Sequence, residues 1–262
     1  MRKLLSIIFK WLFRVALLTW MITWYIKDDL PPPGFYNLKQ LSEPRQTRTF
    51  DQPFDTFVED QQYHIKPLFD YELDGVVISL HDADSIADIW HHDKWKDFIN
   101  VRDLCVIWGA NVANDVYRDM SFKNDSWTCW AYWPDQATAK RFQIMQLSNN
   151  HILVDDKQIK QALMNAELGD QVHFSGVLAS YSNPGNGFQR GSSTNRSDTG
   201  NGACETVYLH DFQIVRKANA GMRILYTIAG WTIFLSVAVR MLLLFTTPTT
   251  LSPRDKRRYR RR

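Results

Sequence analysis

Acidic residues are nearly absent from both ends of this 262-residue chain. Residues 1–26 contain four Lys/Arg and no Asp or Glu, and residues 223–262 contain nine Lys/Arg against Asp255 alone. The two ends therefore carry +4 and +8, and because the whole chain carries +3, residues 27–222 carry −9. Proteins that bind phosphate backbones need clustered Lys and Arg. The acidic middle therefore predicts that the chain has no nucleic-acid partner.

Recognised catalytic and cofactor signatures are also missing. The seven histidines fall between His64 and His210, and none has the HExxH spacing that holds zinc. The letters Asp198-Thr199-Gly200 match a motif of aspartic proteases, but polar residues surround them and no second copy supplies the paired carboxylate. The sequence therefore predicts neither a bound metal nor a cofactor.

Cysteine is scarce, with Cys105, Cys129 and Cys204 alone. In an oxidising compartment an odd number allows one disulfide with a leftover thiol, or three buried thiols. Cys105 and Cys129 lie in predicted strands, where a cross-strand pair or simple core packing fits both. Cys204 follows a polar loop and is the cysteine that resembles an exposed nucleophile, although a catalytic thiol also needs a positioned base.

Two long apolar runs lie near the ends of the chain. Residues 4–26 are long enough to cross a hydrocarbon core of roughly 30 Å. No small-residue cleavage pattern follows them, so we expect an uncleaved anchor rather than a signal peptide. Residues 224–245 form the second run, in which Arg240 is the one charge. The sequence therefore predicts two transmembrane helices.

Basic residues predict how these helices are oriented. Lys10 and Arg14 share one face of the first helix, and Arg240 lies near the basic tail, so we expect all three to extend toward one membrane surface. The positive-inside rule then places both termini in the cytoplasm. For a bacterial host, the chain would lie in the cell inner membrane with its central domain in the periplasm.

The middle of the chain predicts an α+β fold that is mainly β. Residues 69–80 alternate and then become continuously apolar, as in a strand, and residues 155–170 have helical spacing between Asp caps and Gly169. Residues 85–100 fit either a short helix or a loop. Further strands are predicted at DLCVIWG, SWTCWAYW, QVHFSGVLASYS and CETVYLHDFQIV.

One strand, LGDQVHFSGVLASY, resembles a strand of an OB-like or related small β-barrel or sandwich, where an internal glycine permits a bend. The resemblance covers about fifteen residues and implies nothing about a ligand. We therefore expect an OB-like domain with one or two short helices, flanked by two transmembrane helices. The predicted boundaries are an anchor (1–27), a Pro-containing polar linker (28–62), the β-domain (63–216), the second transmembrane helix (217–246) and a basic cytoplasmic tail (247–262).

A Gly-rich segment and a group of tryptophans are the candidates for binding. Residues 183–203 hold five of the twelve glycines and predict a long exposed loop, whose Arg190, Arg196 and Asp198 form either a partner-binding element or part of a flexible hairpin connection. Six tryptophans lie between residues 90 and 133. We expect core packing for most of them, although one face of SWTCWAYW is available to a partner or to the membrane surface.

Three functions follow as hypotheses. The leading one is a two-span membrane protein whose acidic domain binds another protein or assembles an envelope complex; its partners would be the lipid bilayer and other membrane or envelope proteins. The second is a membrane-bound hydrolase that uses His81, Asp82, His91 or Cys204. The third is a ligand or metal sensor that signals through the second span.

Overall fold

The computed structural model of the protein describes residues 2–83, 95–125, 127–198, 200 and 203–246. Ten strands lie in these residues: β1 (Arg45–Arg48), β2 (Phe54–Val58), β3 (Gln61–His81), β4 (Asn100–Ile107), β5 (Ser121–Asn124), β6 (Cys129–Tyr132), β7 (Leu147–Leu153), β8 (Gln171–Asn183), β9 (Phe188–Arg190) and β10 (Glu205–Arg216). The α-helices are α1 (Arg2–Ile26), α2 (Ala110–Ala113), α3 (Gln136–Arg141), α4 (Lys157–Met164) and α5 (Ala220–Phe245). Short 3-10 helices occupy Pro33–Phe35, Val116–Asp119 and Ile144–Gln146.

The chain divides into two compact units. One contains the terminal helices α1 and α5, and the other is Asp28–Asn219, which is built mostly from sheet. The prediction of a mixed α+β fold with a large sheet core and two flanking helices is confirmed at this level.

Helices α1 and α5 are long and apolar enough to cross a membrane. They pack antiparallel, since the ring of Trp20 stacks on Tyr226 with centroids 5.3 Å apart while the Arg2 guanidinium donates to the Thr246 carbonyl at 2.9 Å. Small side chains let two helices approach closely. Those buried in this pair are Ala16, Thr23, Ala229 and Ser236.

The main sheet has a pairing path that closes on itself at β3. Its order is β1-β3-β4-β7-β10-β8-β9, with β2 also on β3. Because β3 pairs with β8 as well as with β4, the strands β3, β4, β7, β10 and β8 are linked in a ring of pairings. The β7–β10 pair is parallel and the other pairs are antiparallel. Strands β5 and β6 form a separate hairpin.

Strand β8 is buried on both faces. Its residues Phe174 and Leu178 belong to the main hydrophobic core, whereas Val177, Ala179 and Tyr181 belong to a second core. Because successive side chains of a strand point to opposite faces, the two cores lie on opposite sides of the sheet. This double burial explains why the sequence of β8 is apolar over much of its length.

At Gly176 the backbone of β8 lies very close to that of β10. A Cβ at this position would lie 2.0 Å from the backbone oxygen of Tyr208, so a side chain is excluded by the neighbouring strand β10. The β8–β10 register shifts beside this contact, between Leu209 and Asp211. Glycine therefore allows the close approach of the two backbones.

Residues 28–62, expected to form a linker, contribute to the sheet and the core. Strand β1 pairs with β3 through Arg45–Arg48, and β2 pairs with the start of β3. Tyr36 and Leu41 are buried in the main core. The segment lacks hydrophobic periodicity because β1 and β2 are short edge strands with polar or half-exposed side chains.

The predicted soluble helix is present in shorter form as α4. Asp156 caps its start, because its carboxylate accepts hydrogen bonds from the backbone N–H groups of Gln158 (2.7 Å) and Ile159 (3.0 Å). Leu163 and Ala166 are buried as expected. The helical spacing predicted around residues 85–94, including His91, lies outside the described residues.

Candidate functional site

An exposed group of aromatic side chains lies on the hairpin of β5 and β6. Strand β6 alternates, so Cys129 and Ala131 turn toward the protein while Trp130 and Tyr132 point outward, 47% and 51% exposed. The flanking tryptophans are similarly exposed. We call β5, β6, Trp127 and Trp133 the aromatic hairpin. The expected core packing holds for the fully buried Trp108 but not for the tryptophans of this hairpin.

A disulfide ties the aromatic hairpin to the main sheet. It joins Cys129 of β6 to Cys105 of β4, with Cα atoms 5.9 Å apart. Of the alternatives left open by the sequence, one disulfide with Cys204 as a leftover thiol is the arrangement present. The covalent link holds the base of the hairpin against a strand that is buried along its whole length.

Asp125 orders the turn between the two hairpin strands. Its Oδ1 accepts from the backbone N–H groups of Trp127 (3.0 Å) and Thr128 (2.8 Å), and its Oδ2 accepts from the indole Nε1 of Trp130 (2.8 Å). Partial burial raises the pKa of Asp125, but these hydrogen bonds outweigh it and the net pKa lies below the usual value. The ionised carboxylate therefore holds the Trp130 ring in one orientation.

Arg190 supports the hairpin from a neighbouring element. Its guanidinium lies over the ring of Trp127, 4.8 Å from the centroid, and donates to His151 Nε2 at 2.7 Å. Because a guanidinium only donates, His151 carries its proton on Nδ1 and donates it to Asp103 Oδ1 at 2.7 Å. Asp103 and His151 are fully buried. The result is a buried polar chain that ends at the aromatic hairpin.

Further aromatic contacts link the hairpin to the second core. Trp95 meets Trp127 edge-on with centroids 5.0 Å apart and stacks on Phe188 at 6.0 Å. Phe188 in turn contacts Tyr181, whose hydroxyl donates to Asp97 Oδ2 at 2.6 Å. Such contacts between rings contribute stability beyond the area they bury. Trp127 is therefore held from two sides, by a cation and by an aromatic ring.

The charged residues of the Gly-rich segment also make contacts within the chain. Arg196 is paired with Glu205, whose other oxygen accepts from Ser148 Oγ at 2.6 Å, and its guanidinium lies 5.0 Å from the ring of buried Trp108. Burial raises the pKa of Glu205. Asp198 accepts from Ser193 Oγ at 2.6 Å. A partner-binding role for Arg190, Arg196 and Asp198 stays a prediction, because these contacts order the segment without showing an external ligand.

Asp82, a candidate of the hydrolase hypothesis, holds a structural position. Its Oδ1 accepts from Nε of buried Arg102 at 2.5 Å. The same guanidinium donates to the carbonyls of Leu163, Met164 and Ala166. Asp82 therefore neutralises a cation that satisfies the last carbonyls of α4 and the turn after it.

Of the other hydrolase candidates, His81 and Cys204 lie within the described residues. His81 lies opposite Asp103 in the β3–β4 register. The Cys204 thiol receives a hydrogen bond from Asn149 Nδ2 (3.4 Å) and lies 3.5 Å from the Trp127 carbonyl. Burial raises the pKa of the Cys204 thiol, which disfavours the thiolate that a nucleophile requires.

One group among the described residues has metal-ligating side chains close together. Ligand atoms of Glu72, Asp74 and His173 lie within 4.8 Å of one another on the paired strands β3 and β8. Glu72 is paired with Arg45, and Asp74 Oδ1 lies 3.2 Å from His173 Nδ1. The acids thus already have basic partners. Of this group, only Glu72 lines the neighbouring cleft of about 360 Å³, together with its partner Arg45.

Sequence reasoning missed the polar chain of Asp103, His151 and Arg190. Asp103 and His151 meet because β4 and β7 pair with these two residues opposite each other. Their separation of 48 positions gives no local signal. A polar residue within an otherwise apolar strand, such as Asp103 in DLCVIWG, was the available hint, since a buried carboxylate requires a partner.

Comparison with known proteins supplies no relative. No protein-family model matches the chain, and comparison with curated proteins and with solved structures finds no match. A functional proposal must therefore rest on the geometry of the surfaces described above.

Proposed function

We propose that this chain is a membrane-anchored protein whose acidic β-domain binds another protein through the aromatic hairpin. The observation that carries the proposal is the half-exposure of four large aromatic side chains on a rigidly held element: Trp127, Trp130, Tyr132 and Trp133. Trp and Tyr are enriched where protein interfaces gain most of their binding energy. The disulfide, Asp125 and Arg190 hold these rings in place before binding, which lowers the entropy lost on association.

Three features support the membrane part of the proposal. Two apolar helices flank the domain, and both chain ends are rich in Lys and Arg, which favours cytoplasmic termini. The Cys105–Cys129 disulfide fits an oxidising compartment. In a bacterial host the domain would lie in the periplasm, anchored in the inner membrane, where it would assemble with other envelope proteins.

Charge favours a protein partner over other partners. Residues 27–222 carry −9. An acidic domain is repelled by nucleic-acid phosphates and by anionic lipid surfaces. A protein surface that offers apolar pockets or basic groups is free of this repulsion.

The ring of pairings also supports an OB-like interpretation of the domain. Five strands (β3, β4, β7, β10 and β8) close the ring, and α4 lies between β7 and β8 in the chain. OB folds bind ligands on the outer face of their second and third strands. Here these would be β4 and β7, to which the aromatic hairpin is joined by the Cys105–Cys129 disulfide and by a 3.3 Å hydrogen bond from Asn149 Nδ2 to the Trp127 carbonyl.

Site-specific photocrosslinking in the native host tests this proposal. A photoreactive phenylalanine analogue replaces Trp130 in the full-length chain, and a matched variant carries it at Phe57, which is 69% exposed on β2. We expect a discrete protein adduct from position 130 and none of the same mass from position 57. Identical adducts from both positions, or lipid adducts alone from position 130, would contradict the proposal.

A further inference from the structure

Arg14 lies at the midpoint of the first apolar helix. It is equidistant from the ends of α1, Arg2 and Ile26, which places it about 18 Å from each at a rise of about 1.5 Å per residue. A hydrocarbon core is roughly 30 Å thick. A helix that crosses the membrane over its full length therefore carries Arg14 near the middle of the bilayer.

The packing of α5 supports this depth. The contacts Arg2–Thr246 and Trp20–Tyr226 set the antiparallel register, and Arg14 falls between them, level with about residue 233 of α5. Residues 224–239 of α5 contain no charged side chain. At this depth α5 therefore offers no charged partner to Arg14.

Arg14 points away from α5. Ala16 and Thr23 are the buried residues of α1, and at about 100° per residue Arg14 lies roughly 160–180° around the helix from them. Lys10, one turn earlier on the same face as Arg14, is exposed as Arg14 is. The two cations therefore form a stripe on the outer side of the helix pair.

The side chain of Arg14 is too short to reach the membrane surface. Its guanidinium turns toward the N-terminus, over the ring of Trp11 at 5.1 Å. A fully extended arginine spans about 6–7 Å at bond lengths of about 1.5 Å, less than half the distance from the midpoint to the helix end. The snorkelling expected from the sequence therefore suffices for Lys10 but leaves Arg14 within the hydrocarbon.

We infer that Arg14 binds a transmembrane helix of another protein that carries a carboxylate at mid-membrane depth. The inference rests on the membrane anchoring proposed above. Charges within membranes almost always pair with one another or face a polar interior. Neither apolar run of this chain contains Asp or Glu, so a second copy would oppose cation to cation. Lipid phosphates stay at the membrane surface, so they do not reach this depth.

The first experiment measures complex size in membranes of the native host. Full-length wild type, Arg14→Leu, Arg14→Lys and the control Lys3→Leu are extracted in mild detergent and separated on native gels. We expect Arg14→Leu to lower the fraction of chain in a complex by at least about tenfold, a change of about 1.4 kcal/mol. Arg14→Lys and Lys3→Leu should retain the complex. A complex of unchanged abundance in Arg14→Leu would overturn the inference.

Charge exchange then tests the chemistry of the partner. The chain lost from the Arg14→Leu complex is identified by mass spectrometry and must carry an Asp or Glu within a membrane span. Arg14→Glu should abolish the complex, and changing that partner residue to Arg should restore it. A lost partner without a membrane-embedded acid, or no restoration, would overturn the inference.

Failure of this inference is distinguishable from failure of the proposed function. Alkaline carbonate extraction of the wild-type chain tests membrane anchoring alone, and release into the supernatant would contradict the proposed function as well as the inference. If the chain stays in the membrane and photocrosslinks from position 130 while Arg14→Leu changes nothing, only the inference fails.

Discussion

The guanidinium of Arg190 lies 4.8 Å from the centroid of the Trp127 ring and is hydrogen-bonded to His151 behind it. One side chain thus joins an exposed aromatic ring to a fully buried imidazole and its aspartate partner. The aromatic hairpin is therefore coupled to the interior of the sheet by electrostatic contacts as well as by its disulfide. Each of these contacts leads to a separate prediction.

Replacing Arg190 by methionine keeps an unbranched apolar side chain, about as long as the aliphatic part of arginine, but removes the charge and the donors. We expect the free energy of unfolding to fall by about 1–3 kcal/mol, because His151 Nε2 loses its donor in a buried setting. Chemical denaturation of the purified full-length chain measures this change. The control Arg118→Met removes an exposed pair with Asp115 and should change stability by less than about 1 kcal/mol. Equal effects of the two substitutions would contradict the supporting role.

Removal of the disulfide should destabilise both the domain and its binding surface. The double substitution Cys105→Ala and Cys129→Ala opens a link between residues 24 positions apart, for which a loss of about 2–4 kcal/mol is expected. The photocrosslink from position 130 should weaken with it. Cys204→Ala, which leaves the disulfide intact, serves as the control and should keep the adduct. A double variant that crosslinks as strongly as wild type would show that the disulfide does not preorganise the surface.

Asp125 should make the hairpin sensitive to acid. Its folded-state pKa lies below the usual carboxyl value, so its stabilising contribution is present above about pH 4 and is lost as the pH falls through the lowered pKa. Asp125→Asn should therefore be less stable than wild type at neutral pH, with the difference disappearing as the pH falls through the lowered pKa of Asp125. Unfolding curves recorded across this pH range measure the difference. A difference that is independent of pH would contradict the assignment.

Asp82 should matter for folding rather than for chemistry. Asp82→Asn leaves the buried guanidinium of Arg102 without its anionic partner, and we expect a loss of about 1–3 kcal/mol in the free energy of unfolding. The photocrosslink from position 130 should persist. Asp119→Asn, in an exposed pair with Arg141, is the matched control with little expected effect. Unchanged stability in Asp82→Asn would reopen a catalytic role.

Larger side chains should be tolerated on the exposed face of α1 but not on the face that packs against α5. In a Cys204→Ser background, cysteines placed at Trp20 and Tyr226 report the contact of α1 with α5 through their rate of oxidative crosslinking. Ala16→Leu should slow this reaction because it overfills the buried seam. Val15→Leu, at a 62% exposed neighbour, should leave it unchanged. Equal rates would show that the seam is loosely packed.

Periodic apolar residues in the sequence predict those strands and helices that are buried on one face or along their whole length. The strands around GVVISL and DLCVIWG, the capped helix α4 and the two apolar helices all follow from periodicity and caps. Strand β1, RQTR, has no apolar residue, so its strand conformation comes from pairing with β3 and leaves no pattern. Hydrophobic periodicity does not predict which distant segments of a chain pair as strands.

The candidate site was predicted in part. Alternation in SWTCWAYW indicates opposite faces, but whether a face is covered depends on what the rest of the chain places over it. Trp108 is fully buried, whereas Trp130, the same type of residue, is half-exposed. The contact of Arg190 with Trp127 depends on how the Gly-rich segment folds. The spacing of residues in that segment does not predict this contact.

The length of β3 also governs when the domain becomes foldable. Its pairing with β8 joins residues from 95 positions apart (Val76 with Gln171) to 118 positions apart (His64 with Ser182). The strand inserted between β7 and β8, β10, ends four residues before α5 begins. During synthesis the ring therefore stays open until nearly all of residues 28–219 have been made, and closure between such distant segments is slow. The strand that completes the ring and the second apolar helix are thus synthesised in immediate succession.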